Sequence, residues 1–158
     1  MAIYRAVLRS TPKVSPKTSH SVQAGARVDN LDVQYYAGTR TLTFYGTVRS
    51  HNQFGTYNVM LTFKNVREHD GLTEEEIMQG FKPKPTLGDN EIMGRCGCPN
   101  YRFRFDKANR MHGVGTGARF GFYRRRTNRK PYNPKNLIGF CAHLMEFVNY
   151  LQENGFVL

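Results

Sequence analysis

With 158 residues, the chain can build one domain with a real core but not two large ones. Apolar residues at 39% and charged residues at 22% exclude a disordered composition and a membrane-embedded one. The net charge of +11 favours nucleic acid or an acidic protein surface as partner, with a solvated basic face that has no specific partner as the alternative.

The charge is concentrated. Residues 101–135 hold eight Arg and three Lys against Asp106 alone, a surplus of ten. Residues 1–30 add five bases against Asp29. The opening stretch Met1–Arg9 is too short an apolar run for a signal peptide, and no stretch approaches the roughly 20 apolar residues of a membrane span. A soluble chain made in the cytoplasm is expected. Three cysteines, an odd count, argue against a disulfide scaffold.

Residues 1–30 read as an extended basic arm. Ser10-Thr11-Pro12-Lys13-Val14-Ser15-Pro16-Lys17 has prolines that remove backbone donors and little to bury. Residues 31–85 read as a β-meander with one short helix. Leu31, Val33 and Tyr35 alternate with polar neighbours, as do Leu42, Phe44, Gly46 and Val48, then Tyr57, Val59, Leu61 and Phe63. Thr73 with Glu76 is a capping box, so a helix is predicted over about Glu74–Gln79 with Gly80 as its stop. Phe81-Lys82-Pro83-Lys84-Pro85 is a stiff connector.

Residues 86–158 form the third unit. Phe140, Leu144, Phe147, Val148 and Leu151 make one apolar stripe at helical spacing, and Gly155 ends it. Phe156-Val157-Leu158 is expected to fold back on the core. Within the unit, Tyr101-Arg102-Phe103-Arg104-Phe105 alternates rings and cations. Read as a strand, it places aromatics on one face and guanidiniums on the other. Phe120, Phe122 and Tyr123, with Arg124-Arg125-Arg126 and Arg129-Lys130, add a second aromatic and basic stretch. These residues suit phosphates and stacked bases, or equally an acidic protein neighbour. Gly113-Val114-Gly115-Thr116-Gly117-Ala118 spells a dinucleotide-type glycine run, but no helix pattern follows it, and a loop is expected.

All three cysteines join one histidine in a single pattern, Cys96-Gly97-Cys98 and then Cys141-Ala142-His143. Three thiolates and an imidazole are a donor set that tetrahedral zinc takes. Residues two apart on a helix point about 200° from each other, so Cys141 must stand at the helix entrance and His143 in its first turn. Three buried thiols beside an ordinary histidine are the alternative. His20, His51, His69 and His112 are lone histidines, with His112 a reserve ligand because it lies between the two pairs.

The Cys-x-Cys…Cys-x-His arrangement resembles the SWIM-type zinc finger over residues 96 to about 152. The resemblance implies a ββα module, with the first pair on a hairpin and the second at the start of a helix. It implies one structural Zn2+ on Cys96, Cys98, Cys141 and His143. The layout is also similar to small SWIM-type proteins of tailed bacteriophages, through Cys-Gly-Cys-Pro-Asn-Tyr, the basic insert and the Gly-x-Cys-x-His approach.

The expected fold is α+β: an extended arm, an antiparallel meander, and a zinc-closed ββα module ending in an amphipathic helix. The expected role is non-enzymatic, because four protein ligands close the metal's shell and Asp106 is the one acid in the basic insert. A virion or assembly component is the first reading, with other subunits as partners and no membrane or small-molecule substrate. A nucleic-acid-binding accessory or regulatory protein is the second. Arg102, Arg104, Arg119, Arg124, Arg125, Arg126, Arg129 and Lys130 are the candidate contact residues for either.

Overall fold

The computed structural model describes residues 3–14, 27–49, 55–120 and 132–158. Four strands form one antiparallel sheet in sequential order: β1 (Arg27–Tyr36), β2 (Thr41–Arg49), β3 (Thr56–Phe63) and β4 (Ile92–Cys96). The alternation read from the sequence sets the register. Phe44 pairs with Val33 on one side and Leu61 on the other, and Leu61 pairs with Gly94. Leu42, Phe44, Val48, Val59, Leu61, Phe63 and Ile92 are all buried. With the metal candidate cluster and the C-terminal helix, the fold is α+β as expected.

The buried face is covered by α4 (Ala142–Glu153), whose Leu144, Phe147, Val148 and Leu151 carry the predicted stripe. Gly46 leaves room for the Phe147 ring, which would come within 3.0 Å of a Cβ there. Beyond Gly155 (φ +74°) the chain turns back. Leu158 N–H donates to Pro85 O, and Leu87 N–H donates to Leu158 O, each at 2.9 Å. Val157 is buried, so the tail is part of the core.

The predicted short helix is α2 (Glu74–Met78). Thr73 caps it by accepting from Glu76 N–H at 3.2 Å. The strand β4 pairs directly with β3, so the half that carries the cysteines and the meander share one sheet and one core.

Two expectations are corrected. Tyr4–Val14 of the expected extended arm is a helix, α1. Its buried side chains Tyr4, Val7 and Thr11 recur at three and four residues and face the core. Pro12 sits in the last turn and forgoes the one backbone bond that its N–H would make to Leu8 O. Residues 15–26 of the arm lie outside the described residues.

Tyr101–Phe105 is a turn of π-helix, not a strand. Asp106 N–H reaches back five residues to Tyr101 O. α3 (Asp106–Met111) continues from it. Tyr101 and Phe105 point inward, while Arg102 and Phe103 are exposed and Arg104 is half-buried. A strand would have buried Phe103 as well. The glycine run is the loop that leaves α3. It docks on β4 through Gly94 N–H to Val114 O (2.8 Å). It is therefore anchored, and no nucleotide-type strand–loop–helix surrounds it among the described residues.

Candidate metal centre

The first pair of thiols stands where β4 ends. Cys96 is its last residue, hydrogen-bonded in register with Val59. Gly97 N–H donates to Asn58 O at 3.1 Å, which turns the chain so that Cys98 faces the same way. The second pair opens α4. Cys141 is the N-cap residue with extended backbone (φ −71°, ψ 169°), and His143 follows in the first turn. This is the placement that the helical angle demands.

The segment before Cys141 is held from three sides. Asn109 is fully buried. Its side-chain amide donates to Gly139 O at 2.8 Å and to Tyr101 Oη at 3.2 Å, and its carbonyl oxygen accepts from Gly139 N–H at 3.0 Å. Thr11 on α1 accepts from Phe140 N–H at 3.1 Å, and Tyr4 packs on the Phe140 ring at 6.2 Å. Ser10 Oγ donates to Ile138 O. Gly139 is required here, since a Cβ would lie 2.3 Å from Phe105 Cε1. None of these supports was legible as part of the site, although the Tyr4–Val7–Thr11 spacing was present in the sequence.

The four ligand atoms of Cys96, Cys98, Cys141 and His143 all lie within 4.8 Å of one another. A tetrahedral site with metal–sulfur bonds of about 2.3 Å has donor–donor edges of about 3.8 Å, so small side-chain rotations close it. The three cysteines are free thiols and essentially without solvent exposure. His143 Nδ1 is buried with no hydrogen-bond partner, a costly state for a ring nitrogen unless it is a donor to a cation. The Tyr57 ring packs on the imidazole at 4.9 Å and fixes its plane. Backbone N–H groups serve the sulfurs: Cys98 N–H to Cys96 Sγ at 3.5 Å and Tyr101 N–H to Cys98 Sγ at 3.3 Å. Such second-layer donors stabilise thiolates and aim them.

Burial pushes the Cys96 and Cys141 thiols up. Cys98 is pulled well down, chiefly by the Cys141 and Cys96 thiols crowded against its sulfur, with Tyr101 N–H donating to it. Three crowded, buried thiols and an imidazole are an arrangement that a cation relieves, by giving the sulfurs a positive partner in place of water. The residues therefore fit one metal ion, as the spacing implied. His112 is not among them: it is exposed, and its Nε2 lies 3.1 Å from Asn136 O. His69 is exposed, and His20 and His51 lie outside the described residues.

The candidate contact residues divide. Arg102 lies on the outer arc of the π-turn, with its guanidinium 5.1 Å from the Phe120 ring and 5.7 Å from Phe103. Arg104 donates to Val14 O at 3.4 Å and lies 5.3 Å from the Tyr132 ring. Arg119 is exposed on the loop. Arg124, Arg125, Arg126, Arg129 and Lys130 lie outside the described residues. Two arginines that the sequence did not single out shape this side. Arg95 donates to Ala118 O at 2.8 Å and stacks on Phe120 at 4.0 Å. Arg110 pairs with Asp106 at 3.1 Å and donates to the carbonyls of Thr116, Gly117 and Ala118.

Comparison of the chain with protein-family models, with curated proteins and with solved structures finds no match. No helix among the described residues is long and apolar enough to cross a membrane.

Proposed function

We propose that the chain is a non-enzymatic zinc protein whose ion is structural and whose basic face makes contacts within a larger assembly. The observation that carries the reading is the buried, converging Cys96–Cys98–Cys141–His143 set. Three thiolates and one imidazole select a soft tetrahedral ion, and zinc is the redox-silent one. Four protein donors fill the shell and leave no position for a water or substrate, which argues for structure rather than catalysis. The ion would tie the end of the sheet to the start of α4, closing a span of more than forty residues between the two pairs.

The assembly role rests on charge. A surplus of ten cations over residues 101–135 favours anionic partners, and neighbouring subunits can provide that charge. The similarity of the Cys-Gly-Cys-Pro-Asn-Tyr and Gly-x-Cys-x-His stretches to phage SWIM-type proteins makes a bacteriophage virion the setting we propose.

Elemental analysis of the purified protein is expected to find close to one zinc per chain. Cys98→Ser and His143→Ala are each expected to lose most of it and to unfold at far lower denaturant. Full metal retention in both variants contradicts the site. Immunodetection in purified particles tests the setting: the chain should co-purify in fixed ratio to the capsid proteins. A free monomer absent from particles contradicts the assembly role and leaves the zinc reading standing.

A further inference from the structure

The π-turn gives the molecule a surface that the metal does not explain. Because only Tyr101 and Phe105 point inward, three successive residues, Arg102-Phe103-Arg104, line its outer arc. Phe103 is 40% exposed, with the Arg102 guanidinium 5.7 Å from its ring. Arg102 also reaches the Phe120 ring, and Arg95 covers that ring at 4.0 Å. Cation and ring therefore alternate in one strip: Arg95, Phe120, Arg102, Phe103. Tyr132, 57% exposed beneath Arg104, extends it. The strip is rigid. Arg110 and Arg95 pin the loop that carries Phe120, and Tyr101 Oη donates to Gly94 O at 2.5 Å.

An exposed ring beside the exposed Arg102 and the half-buried Arg104 is an unusual use of surface, since a solvated basic face needs no rings. Asp106 is the one acid in residues 99–140 of the sequence, and Arg110 already pairs it. The charge is thus complementary to a polyanion that also presents flat apolar faces. Double-stranded nucleic acid hides those faces in its stack. A single strand exposes them, so its bases can stack on Phe103 and Tyr132 while its phosphates lie on Arg102 and Arg104. An acidic polypeptide would match the charge but would gain little from the rings.

We infer that the strip built on the π-turn binds single-stranded nucleic acid, by base stacking on Phe103 flanked by phosphate contacts from Arg102 and Arg104. The inference goes beyond the structural-zinc reading, of which it needs only an intact fold, and it gives this strip to nucleic acid, leaving the rest of the basic stretch for the subunit contacts proposed above.

Fluorescence anisotropy of the full chain with labelled 20-mers of dT and rU, each over a salt series, tests it. A duplex of equal length and polyglutamate serve as competitors. The single strands should bind at low salt and weaken steeply as salt rises, and the duplex should compete at least about tenfold less well. The dT and rU arms distinguish DNA from RNA as the natural form. Phe103→Ala should weaken binding by roughly 5- to 150-fold, the range that loss of one stacked base gives, while Phe103→Tyr stays near wild type. Arg102→Ala should lower the slope of log K against log salt by about 0.7 for each phosphate lost. Zinc content and thermal melting of each variant, both unchanged, keep this test separate from the metal reading. Equal binding by Phe103→Ala and wild type overturns the inference. So does a duplex that competes as well as the single strand, or displacement by polyglutamate at equal charge concentration, which would make the partner an acidic protein.

Discussion

Asn109 shows how one side chain can govern the site without touching a ligand. It ties Tyr101 and Gly139, and through them the ends of both cysteine pairs, and its backbone carbonyl accepts from Val114 N–H at 2.7 Å. Tyr4 does comparable work from the other end of the chain, and its hydroxyl carries a pH signature. Burial pushes its pKa from 10.0 up to about 12. Between those values the unfolded chain has lost the proton and the folded chain keeps it. The contribution is therefore fully present below pH 10 and is lost as pH rises through about 12. By pH 11.5 about 2 kcal/mol of it has been lost. Urea unfolding at pH 8 and pH 11.5 checks this: Tyr4→Phe should lose about 2 kcal/mol less than wild type over that step. Equal losses in the two proteins would contradict the buried placement of Tyr4.

At the scale of elements, α1 makes the sharpest prediction, because it replaces an expected arm. Val7 is fully buried and Leu8, its neighbour, is 44% exposed. Val7→Ala should cost about 2 kcal/mol in chemical denaturation, and Leu8→Ala well under 1 kcal/mol. An unstructured arm would make both neutral. Strands β1 to β3 and the stripe of α4 were legible because burial on one face leaves a periodic trace in local sequence. The helix α1 was not, because Pro12 and a polar run mask a face of only three residues. The partner of that face, Phe140, is 129 residues from Thr11. The π-turn was missed for another reason. Tyr-Arg-Phe-Arg-Phe buries its first and last rings in a strand and in a π-turn alike, and only the exposed Phe103 tells the two apart. The ligand set was legible because its chemistry is carried by residue type and order. The side chains that hold it, Asn109, Thr11 and Tyr57, carry no such label.

At the scale of the whole molecule, the proposed ion closes a sheet and a helix that are distant in sequence on each other. The core is continuous across the two halves, with β4 hydrogen-bonded to β3 and α4 lying over both, so loss of the ion should propagate through it. The most direct test is X-ray absorption at the zinc edge on the purified protein. The account predicts a first shell of three sulfurs at about 2.3 Å and one nitrogen at about 2.0–2.1 Å, with no water ligand. A shell dominated by oxygen, a coordination number above four, or protein that folds with no bound metal would contradict it.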